Sequence, residues 1–408
     1  MVIFRALLHA VTSILSVVSH VLKRAYASQT KERSILTTLM LSRYNIFRPD
    51  FVCSVTVIDP LSISPEIWQA IVSGEQGGSK AALARRMLWM TRFPYAFGMW
   101  GRNKFFDWGW KKSHRASVPV VSIGNLTLGG TGKTPCVEYV AGFYRQHDIQ
   151  VAILSRGYGS EGGRNDEAML LEENLPDVPH LQDRDRVAIA ATAVEELESE
   201  VLVLDDGFQH RRLARDLDIV LIDATNPWGH GYLFPRGALR EPISNLRRAS
   251  AVMITRGDRI SAEECVAIRK KIQRYTSVPI SVTKHEPREL MSVENRTASW
   301  EELRSKPVAA FCGIGNPAAF RKTLDDLGAG VIDFRTFPDH HGYTLEDVSE
   351  LSHWAARQPP DAIIATTQKD FVKLRIADLA GRPLWAVRIG LTFIEGRDAF
   401  DELLLGIV

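Results

Sequence analysis

The sequence predicts an α/β protein in which a mostly parallel sheet carries helices on both faces. Three observations support this prediction. Short apolar runs recur along the chain, and stretches suited to helices lie between them. A glycine-rich stretch, GNLTLGGTGKTP, directly follows the first of these runs. The composition, with 45% hydrophobic and 24% charged residues, is that of a globular protein with a substantial core.

The elements can be placed in order along the chain. The first strand, Val118–Ile123, is expected to lead through the glycine-rich loop into a helix that begins near Lys133. A polar and irregular stretch at 284–305 then separates a first series of elements from a shorter second one. The remaining strands are expected at Val151–Leu154, Val201–Leu204, Ile219–Ile222, Ala251–Ile254, Val308–Cys312 and Ala362–Thr366, and helices at Arg186–Glu198 and Pro317–Leu327.

The segment 83–115, ahead of the first strand, combines apolar, basic and aromatic residues. Its apolar side chains recur at steps of three and four, which predicts a helix that Pro94 should kink or restart. The segment contains eight lysines and arginines but only one acidic residue, Asp107, and it also contains four tryptophans. This pattern predicts an amphipathic helix at a membrane interface, with the basic groups on anionic lipids. The alternative is an ordinary amphipathic helix packed on the core.

The first sixty residues have no clear assignment. Val2–Leu22 is fairly apolar and is followed by Lys23 and Arg24, but it lacks the long uninterrupted apolar run of a spanning helix. A targeting segment, a membrane anchor and a start-site artefact upstream of Met40 remain open alternatives.

Cysteine content and net charge are less informative. The cysteines at positions 53, 136, 265 and 312 form no CxxC pair, so neither a zinc site nor a disulfide framework is indicated. The net charge of +2 gives no reason to expect nucleic acid as a partner.

The glycine-rich loop resembles the phosphate loop GxxxxGK[ST] and predicts a P-loop NTPase-type sheet. Thr127 stands where the pattern has its first glycine, and Gly129 and Gly130 compensate by allowing close approach of the backbone. Backbone N–H groups at the helix start would hold phosphates, Lys133 would contact the β- and γ-phosphates, and Thr134 would ligate Mg²⁺. The alternative is a simple glycine-rich turn. The expected nucleotide contacts are Gly129, Gly130, Thr131, Gly132, Lys133 and Thr134.

Charged side chains follow several of the later elements. Asp205 and Asp206 end an apolar strand, where ligands bind in open α/β sheets, and they could hold Mg²⁺. Arg156, in LSRGYGS, is a candidate anion contact. In GYLFPRGALREP, Arg240 could stabilise charge on a transferring phosphoryl group and Glu241 could complete the metal shell. For each motif a surface or strand-end turn is the alternative.

One histidine-rich motif lies in the second series. FPDHHGYT places Asp339 next to His340 and His341, which could be metal ligands or an acid–base pair. A solvated loop is the alternative if the motif stands alone.

Together these motifs resemble the tetraacyldisaccharide 4′-kinase (LpxK) family, the lipid A 4′-kinases of Gram-negative bacteria. The stretches that carry the resemblance are PVVSIGNLTLGGTGKTP, LSRGYG, NDEAML, DRVAIA, DDGFQHRRLARDLDIVLID, GHGYLFPRGALREP, FCGIGNPAAF, FPDHHGYT and TTQKDFVKL. The resemblance implies a transferase that uses ATP and Mg²⁺ to phosphorylate the 4′-hydroxyl of a tetraacyldisaccharide 1-phosphate. It also implies a peripheral protein, expected to be a monomer, at the cytoplasmic face of the inner membrane.

The resemblance also implies roles for single residues. Asp166 matches the proposed catalytic aspartate and His340 the histidine that works with it. Arg186 and Arg240 match arginines near the phosphates, and Gln209 and His210 would face the lipid substrate or the active site. The acids expected around Mg²⁺ are Asp205, Asp206 and Glu241, with the hydroxyl of Thr134.

The resemblance gives names to the predicted segments. Residues 1–62 form an extension of uncertain structure and 63–116 a membrane-associated helical segment. Residues 117–283 form the P-loop kinase domain, 284–305 a linker and 306–408 a smaller C-terminal α/β domain.

The chain departs from the family pattern in three places. Asn165 replaces the usual glycine before Asp166, Gln368 stands where the family usually has glutamate, and the first sixty residues have no counterpart. Two other classes of protein therefore stay open as alternatives. One is a P-loop GTPase or ATPase of the metallochaperone kind. Its guanine-reading motif, Asn/Thr-Lys-x-Asp, is matched only in part by Gln368-Lys369-Asp370. The other is a nucleotide-gated membrane adaptor without catalysis.

Overall fold

A computed structural model of the chain describes residues 65–157, 166–293, 297–339 and 341–408. The predictions made for 1–62, Asn165 and His340 concern positions outside these described residues. The chain divides into two compact units. The helical unit contains the described residues up to Lys111 together with Leu126–Gly129 and Trp228–Ile243. The sheet unit contains Lys112–Asn125, Gly130–Pro227 and the described part of Ser244–Val408.

The sheet unit is built on one large mixed sheet. In the described residues it has 13 strands, and its main path runs β10-β9-β11-β13-β7-β6-β5-β1-β4-β2-β3. Neighbours on this path are parallel except β7 and β13, and the short strands β8 and β12 add antiparallel pairs. The strands are β1 Val120–Asn125, β2 Val151–Ser155, β3 His180–Gln182, β4 Val201–Asp205, β5 Leu217–Asp223, β6 Ala251–Thr255, β7 Ile280–Met291, β8 Thr297–Ala298, β9 Pro307–Cys312, β10 Gly330–Thr336, β11 Ile363–Thr367, β12 Asp378–Leu379 and β13 Arg382–Glu395.

Helices cover both faces of this sheet, as predicted. Successive side chains of a strand point to opposite faces, so β4 is buried twice. Val201 and Val203 join the core under the helix that follows the glycine-rich loop, and Leu202 and Leu204 join the core under another helix. In the sheet unit the helices are α3 Lys133–Gln146, α4 Asp166–Asn174, α5 Arg186–Glu195, α6 Ala262–Ile272, α7 Trp300–Ser305, α8 Pro317–Asp326, α9 Leu345–Ala356, α10 Gln368–Leu374 and α11 Arg397–Leu405.

The segment expected to be irregular, 284–305, contains regular structure, and that expectation is wrong. Strand β7 continues to Met291 and pairs with β13, and α7 ends the segment. The polar composition is explained by the partners across the strand pair. Arg388 donates hydrogen bonds to Glu289 (2.7 Å), and Arg288 donates to the Thr392 hydroxyl (2.9 Å). Charged side chains are thus compatible with a strand here, and the division into two domains at this segment stays a prediction.

In its described residues, the helical unit contains two α-helices and the looped segments Leu126–Gly129 and Trp228–Ile243. Helix α1, Pro65–Ser73, packs through Ile71 and Val72 against Ala84 and Leu88 of α2, Ser79–Asp107. Helix α2 continues through Pro94, so it does not restart there, and it ends before the last basic residues of 83–115. Within the described chain, no helix combines the length and the apolar character that crossing a membrane requires.

Candidate active site

The glycine-rich loop joins β1 to α3 and is held from two sides. The Asn125 side chain donates a hydrogen bond to the Thr131 hydroxyl (2.9 Å), and the Thr255 hydroxyl donates to the Thr131 carbonyl oxygen (2.9 Å). Gly132 caps α3 in the left-handed region with φ of 85°, and a Cβ there would lie 2.6 Å from His285 Nε2. Only glycine fits this position without strain. The loop is therefore fixed in place at the positive end of α3 before any ligand binds.

Lys133 and Thr134 begin α3, as the motif predicts. The ammonium group of Lys133 lies 3.7 Å from Asp206 Oδ1, and Thr134 is largely buried. The predicted contact residue Gly129 belongs to the helical unit, where it has φ of 105°. A Cβ added to Gly130 would meet no atom within 4 Å, so this stretch of loop has open space beside it.

The acidic pair lies at the carboxyl end of β4. Asp205 is the last residue of the strand, and its Oδ1 is buried with no hydrogen-bond partner among the described residues. Burial, and then the negative charge of Glu167, raise the pKa of Asp205 to about 7. The positive charges of Lys133 and Arg186 act in the opposite direction but do not offset the burial of this carboxylate. A divalent cation at this oxygen would supply further compensation, so the chemistry of Asp205 suits a Mg²⁺ ligand. The described residues contain no group of three or more His, Cys, Asp or Glu side chains that could hold a metal ion.

Arg186 reaches the same acidic pair from α5. Asp185 caps that helix by accepting hydrogen bonds from Val187 N (3.2 Å) and Ala188 N (3.4 Å), which fixes where the helix begins. The buried Arg186 guanidinium donates to the Asp206 carbonyl oxygen at 3.2 Å. Burial lowers the pKa of Arg186, while Asp205 and Asp206 act in the opposite direction. Lys133 and Arg186 therefore both contact Asp206 at the edge of the sheet.

Three further predicted residues lie near this edge of the sheet. Arg156 follows β2 and is exposed, and its charge contributes to lowering the pKa of Arg186. Gln209 is turned toward β1 and donates from Nε2 to the Asn125 carbonyl oxygen at 2.9 Å. The backbone oxygen of His210 accepts from Arg215 at 3.1 Å. Their roles toward a substrate stay predictions.

Asp166 is the first residue of α4, and the structure gives it a partner that the sequence did not reveal. The ammonium group of Lys373, on α10, lies 2.8 Å from Asp166 Oδ2. A signal was present in TTQKDFVKL, where Lys369 and Lys373 are four residues apart and share one helix face. Lys369 lies 4.0 Å from the adjacent acid, Glu167.

Arg240 and Glu241 belong to the helical unit. Glu241 is fully buried, and Arg240 N donates to the Leu126 carbonyl oxygen at 2.6 Å. The Tyr95 hydroxyl donates to the Arg240 carbonyl oxygen at 3.0 Å. Burial and the charge of Glu241 raise the pKa of Tyr95. The loop that carries both predicted residues is therefore anchored on α2.

The motifs FPDHHGYT and TTQKDFVKL each contain a side chain that is hydrogen-bonded within the fold. His341 Nε2 lies 3.1 Å from Asp347 Oδ2, and Asp347 belongs to the capping box of α9. Asp370 is fully buried and accepts hydrogen bonds from Gly313 N (3.0 Å) and the Thr367 hydroxyl (2.6 Å). An aspartate held in this way is part of the fold of the C-terminal half, which weakens the guanine-reading alternative.

Comparisons with known proteins show which family the chain resembles. The family model described as tetraacyldisaccharide-1-P 4′-kinase matches residues 84–408. The tetraacyldisaccharide 4′-kinase of Anaeromyxobacter dehalogenans strain 2CP-C is 40% identical over 356 residues, which cover 82% of this chain and 94% of that protein. The enzyme of the same name from Syntrophus aciditrophicus is 36% identical over 340 residues, with 76% and 90% covered.

A solved structure is also similar. The crystal structure of LpxK from Aquifex aeolicus in complex with ATP aligns with a TM-score of 0.65 and 30% sequence identity. The alignment covers 79% of this chain and 99% of that one. This likeness confirms the predicted fold class.

Proposed function

The chain belongs to the tetraacyldisaccharide-1-P 4′-kinase family, and from this premise we propose a reaction and a set of residue roles. The reaction transfers the γ-phosphate of ATP to the 4′-hydroxyl of a tetraacylated glucosamine disaccharide 1-phosphate and gives lipid IVA. The observation that carries the proposal is the fixed loop at the start of α3, with Lys133 and Arg186 both on Asp206. This arrangement suits a nucleotide phosphate chain.

ATP binds through the loop and the start of α3. The backbone N–H groups around Gly132 and the ammonium group of Lys133 hold the phosphates, with Arg186 adding positive charge. Arg240, in the helical unit, keeps the role near the phosphates that the resemblance implies. The solved relative from Aquifex aeolicus was crystallised with ATP, which supports this assignment.

Mg²⁺ would be held by the oxygens of Thr134, Asp205 and Asp206. Glu241, in the helical unit, keeps the acidic role that the resemblance implies. The buried Asp205 Oδ1, which has no hydrogen-bond partner among the described residues, supports this role. When bound, the ion neutralises negative charge on the β- and γ-phosphates.

The chemical step needs a base for the sugar hydroxyl. The 4′-oxygen forms a bond to the γ-phosphorus, the bond to the β,γ-bridging oxygen breaks, and ADP leaves. Asp166 accepts the hydroxyl proton, and His340 works with it. The position of Asp166 at the N-terminus of α4, against Lys373, keeps its carboxylate in one place and supports the role of a positioned base.

The lipid substrate requires contact with a membrane. On α2 the side chains of Met90, Phe97 and Trp100 are each more than half exposed and recur at helical spacing. The guanidinium group of Arg92 lies 4.8 Å from the centre of the Trp89 ring. We assign this face to the cytoplasmic side of the inner membrane, where a monomer docks on anionic lipids without spanning the bilayer.

The reaction is tested by following radiolabelled γ-phosphate from ATP into a tetraacyldisaccharide 1-phosphate in detergent micelles. The wild type should label the lipid, and Lys133→Ala should lower the rate by about a hundredfold or more, because the lysine stabilises charge on the transferred group. Free labelled phosphate without labelled lipid would instead indicate a nucleotide hydrolase. Nucleotide-dependent vesicle binding with no turnover would indicate a membrane adaptor.

A further inference from the structure

Helices α4 and α10 lie side by side in the sheet unit. The Gln368 amide, at the start of α10, donates to Asn174 Oδ1 (2.6 Å) at the end of α4. The ammonium group of Lys373, near the end of α10, lies 2.8 Å from Asp166 at the start of α4. The two contacts show that the helices run antiparallel and are joined at both ends.

Helix α10 is held in place by an N-terminal cap and by side chains buried in the core. Thr367 caps it by accepting a hydrogen bond from Asp370 N at 3.2 Å, and its hydroxyl donates to the Asp370 carboxylate. The Asp370 carboxylate also accepts from Gly313 N, and Phe371 and Leu374 are buried in the core of the C-terminal half. Lys373 therefore extends from a helix with little freedom to move.

The polar chain that begins at Gln368 continues to the phosphate-loop helix. Asn174 Nδ2 donates to Glu138 Oε2 (2.9 Å), and Glu138 Oε1 accepts from Arg388 (2.7 Å). Glu138 belongs to α3, the helix that begins with Lys133. The helix pair is thus held relative to the element that binds the nucleotide.

The two lysines of α10 differ in how they meet their acids. Lys373 is 10% exposed and its contact to Asp166 is 2.8 Å. Lys369 is 39% exposed and its contact to Glu167 is 4.0 Å. An ion pair shielded from solvent holds its partner more strongly than an exposed one. Lys369 is therefore a matched control for Lys373.

We infer that Lys373 is a positioning residue for the reaction, in that its ammonium group fixes the Asp166 carboxylate in the orientation that accepts the sugar proton. This inference rests on the proposed role of Asp166 as the base. Lys373 acts on the substrate only through Asp166. Its loss should therefore affect the rate of phosphoryl transfer and leave binding of ATP and lipid nearly unchanged.

The test compares Lys373→Met, Lys373→Arg and Lys369→Met in the lipid phosphorylation assay. Lys373→Met should lower kcat by about 10- to 100-fold, because a carboxylate displaced by about 1 Å loses productive geometry. The KM values for ATP and for lipid should stay within about twofold of wild type, because Lys373 is inferred to act through Asp166 and not on either ligand. Lys373→Arg should recover most of the rate, and Lys369→Met should retain it.

A double-mutant comparison separates a positioning role from a general loss of stability, which would lower the activity in any background. In an Asp166→Asn background the Lys373→Met change should cause no further loss of kcat, because the two residues act as one unit. The inference is overturned if Lys373→Met has wild-type kcat, if its effect falls on the KM for lipid, or if its loss adds to that of Asp166→Asn. An Asp166→Asn enzyme that remains fully active would overturn the proposed base itself, which is a distinguishable result.

Discussion

Asp205 is a buried acid with a raised pKa at the carboxyl end of β4. Its folded-state pKa is raised to about 7 from 3.8, first by burial and then by the charge of Glu167. The folded protein therefore holds this proton more tightly than the unfolded chain. Stability from this group is fully present below about pH 4 and is lost as the pH rises toward 7. A cation at Asp205 would oppose that loss.

Replacing Asp205 with asparagine should change how stability depends on pH. Without nucleotide and Mg²⁺, Asp205→Asn should gain stability relative to wild type between pH 5 and pH 7.5, by about 1–3 kcal/mol, because the amide does not ionise. Adding Mg²⁺ and ATP should then stabilise the wild type more than the variant. Thermal unfolding at both pH values measures these differences.

The control for this prediction is Asp361→Asn, at an exposed aspartate in the turn before β11. It should follow the wild-type pH dependence. If stability depended on pH in the same way in wild type and in Asp205→Asn, ionisation of Asp205 would not destabilise the folded protein, and the prediction would be wrong.

Single residues differ in how far the sequence could predict them. Lys133, Thr134 and Asp205 lie in one local motif or at one strand end, and the structure places them as predicted. The partner of Asp166 could not be found in this way, because Lys373 is remote in sequence and meets Asp166 through the packing of two helices. The Gln368 departure from the family pattern has a physical account, because its amide donates to Asn174, as a glutamate could not.

Among the described elements, α2 exposes several large apolar side chains, including Met90, Phe97 and Trp100. The helical spacing predicted the helix, but its buried residues include Leu88 and Thr91, which do not belong to the apolar series that predicted it. The sequence could not predict that the helix continues through Pro94, because a proline is compatible with a continued helix where neighbouring contacts hold it. Tyr95, one residue later, is anchored on the Arg240 carbonyl oxygen.

Removing aromatic rings from the exposed face of α2 should weaken membrane binding. The double substitution Phe97→Ser and Trp100→Ser should lower partitioning onto vesicles that contain phosphatidylglycerol by about tenfold or more, because each ring contributes apolar area. Higher salt should weaken binding of the wild type, since basic side chains face the headgroups. Vesicle sedimentation measures both effects.

The matched control is Leu345→Ser, at the N-terminus of α9 in the sheet unit. Leu345 is 91% exposed, so it is a large exposed apolar residue remote in sequence from α2. Its substitution should leave vesicle binding unchanged. Equal losses in the control and the α2 variant would argue against the assigned face.

At the scale of the whole molecule, the two series of strands form one sheet in the sheet unit. The junction is the antiparallel pair β7 and β13, whose residues are about a hundred positions apart, as for Glu289 and Arg388. The C-terminal helix also connects the two series, because Phe400 and Leu404 of α11 pack in the same core cluster as Val137 and Tyr144 of α3. Local periodicity predicts each strand, but it carries no information about pairing over such separations.

The continuous sheet carries the residues that the proposed reaction uses in the sheet unit. Asp166 and the part of the loop from Gly130 onward lie in the first series of elements, whereas Lys373 lies in the second, and all of these belong to the sheet unit. The chemistry is therefore expected to depend on groups that the folded sheet brings together in advance.

The most direct test of the account is the single-turnover rate of phosphoryl transfer from ATP to tetraacyldisaccharide 1-phosphate by Asp166→Asn and wild type. The account predicts a rate lower by about 10²- to 10⁴-fold in the variant, the range expected for loss of a general base, with the Kd for ATP within about twofold of wild type. A variant that transfers phosphate to lipid at the wild-type rate would contradict the account.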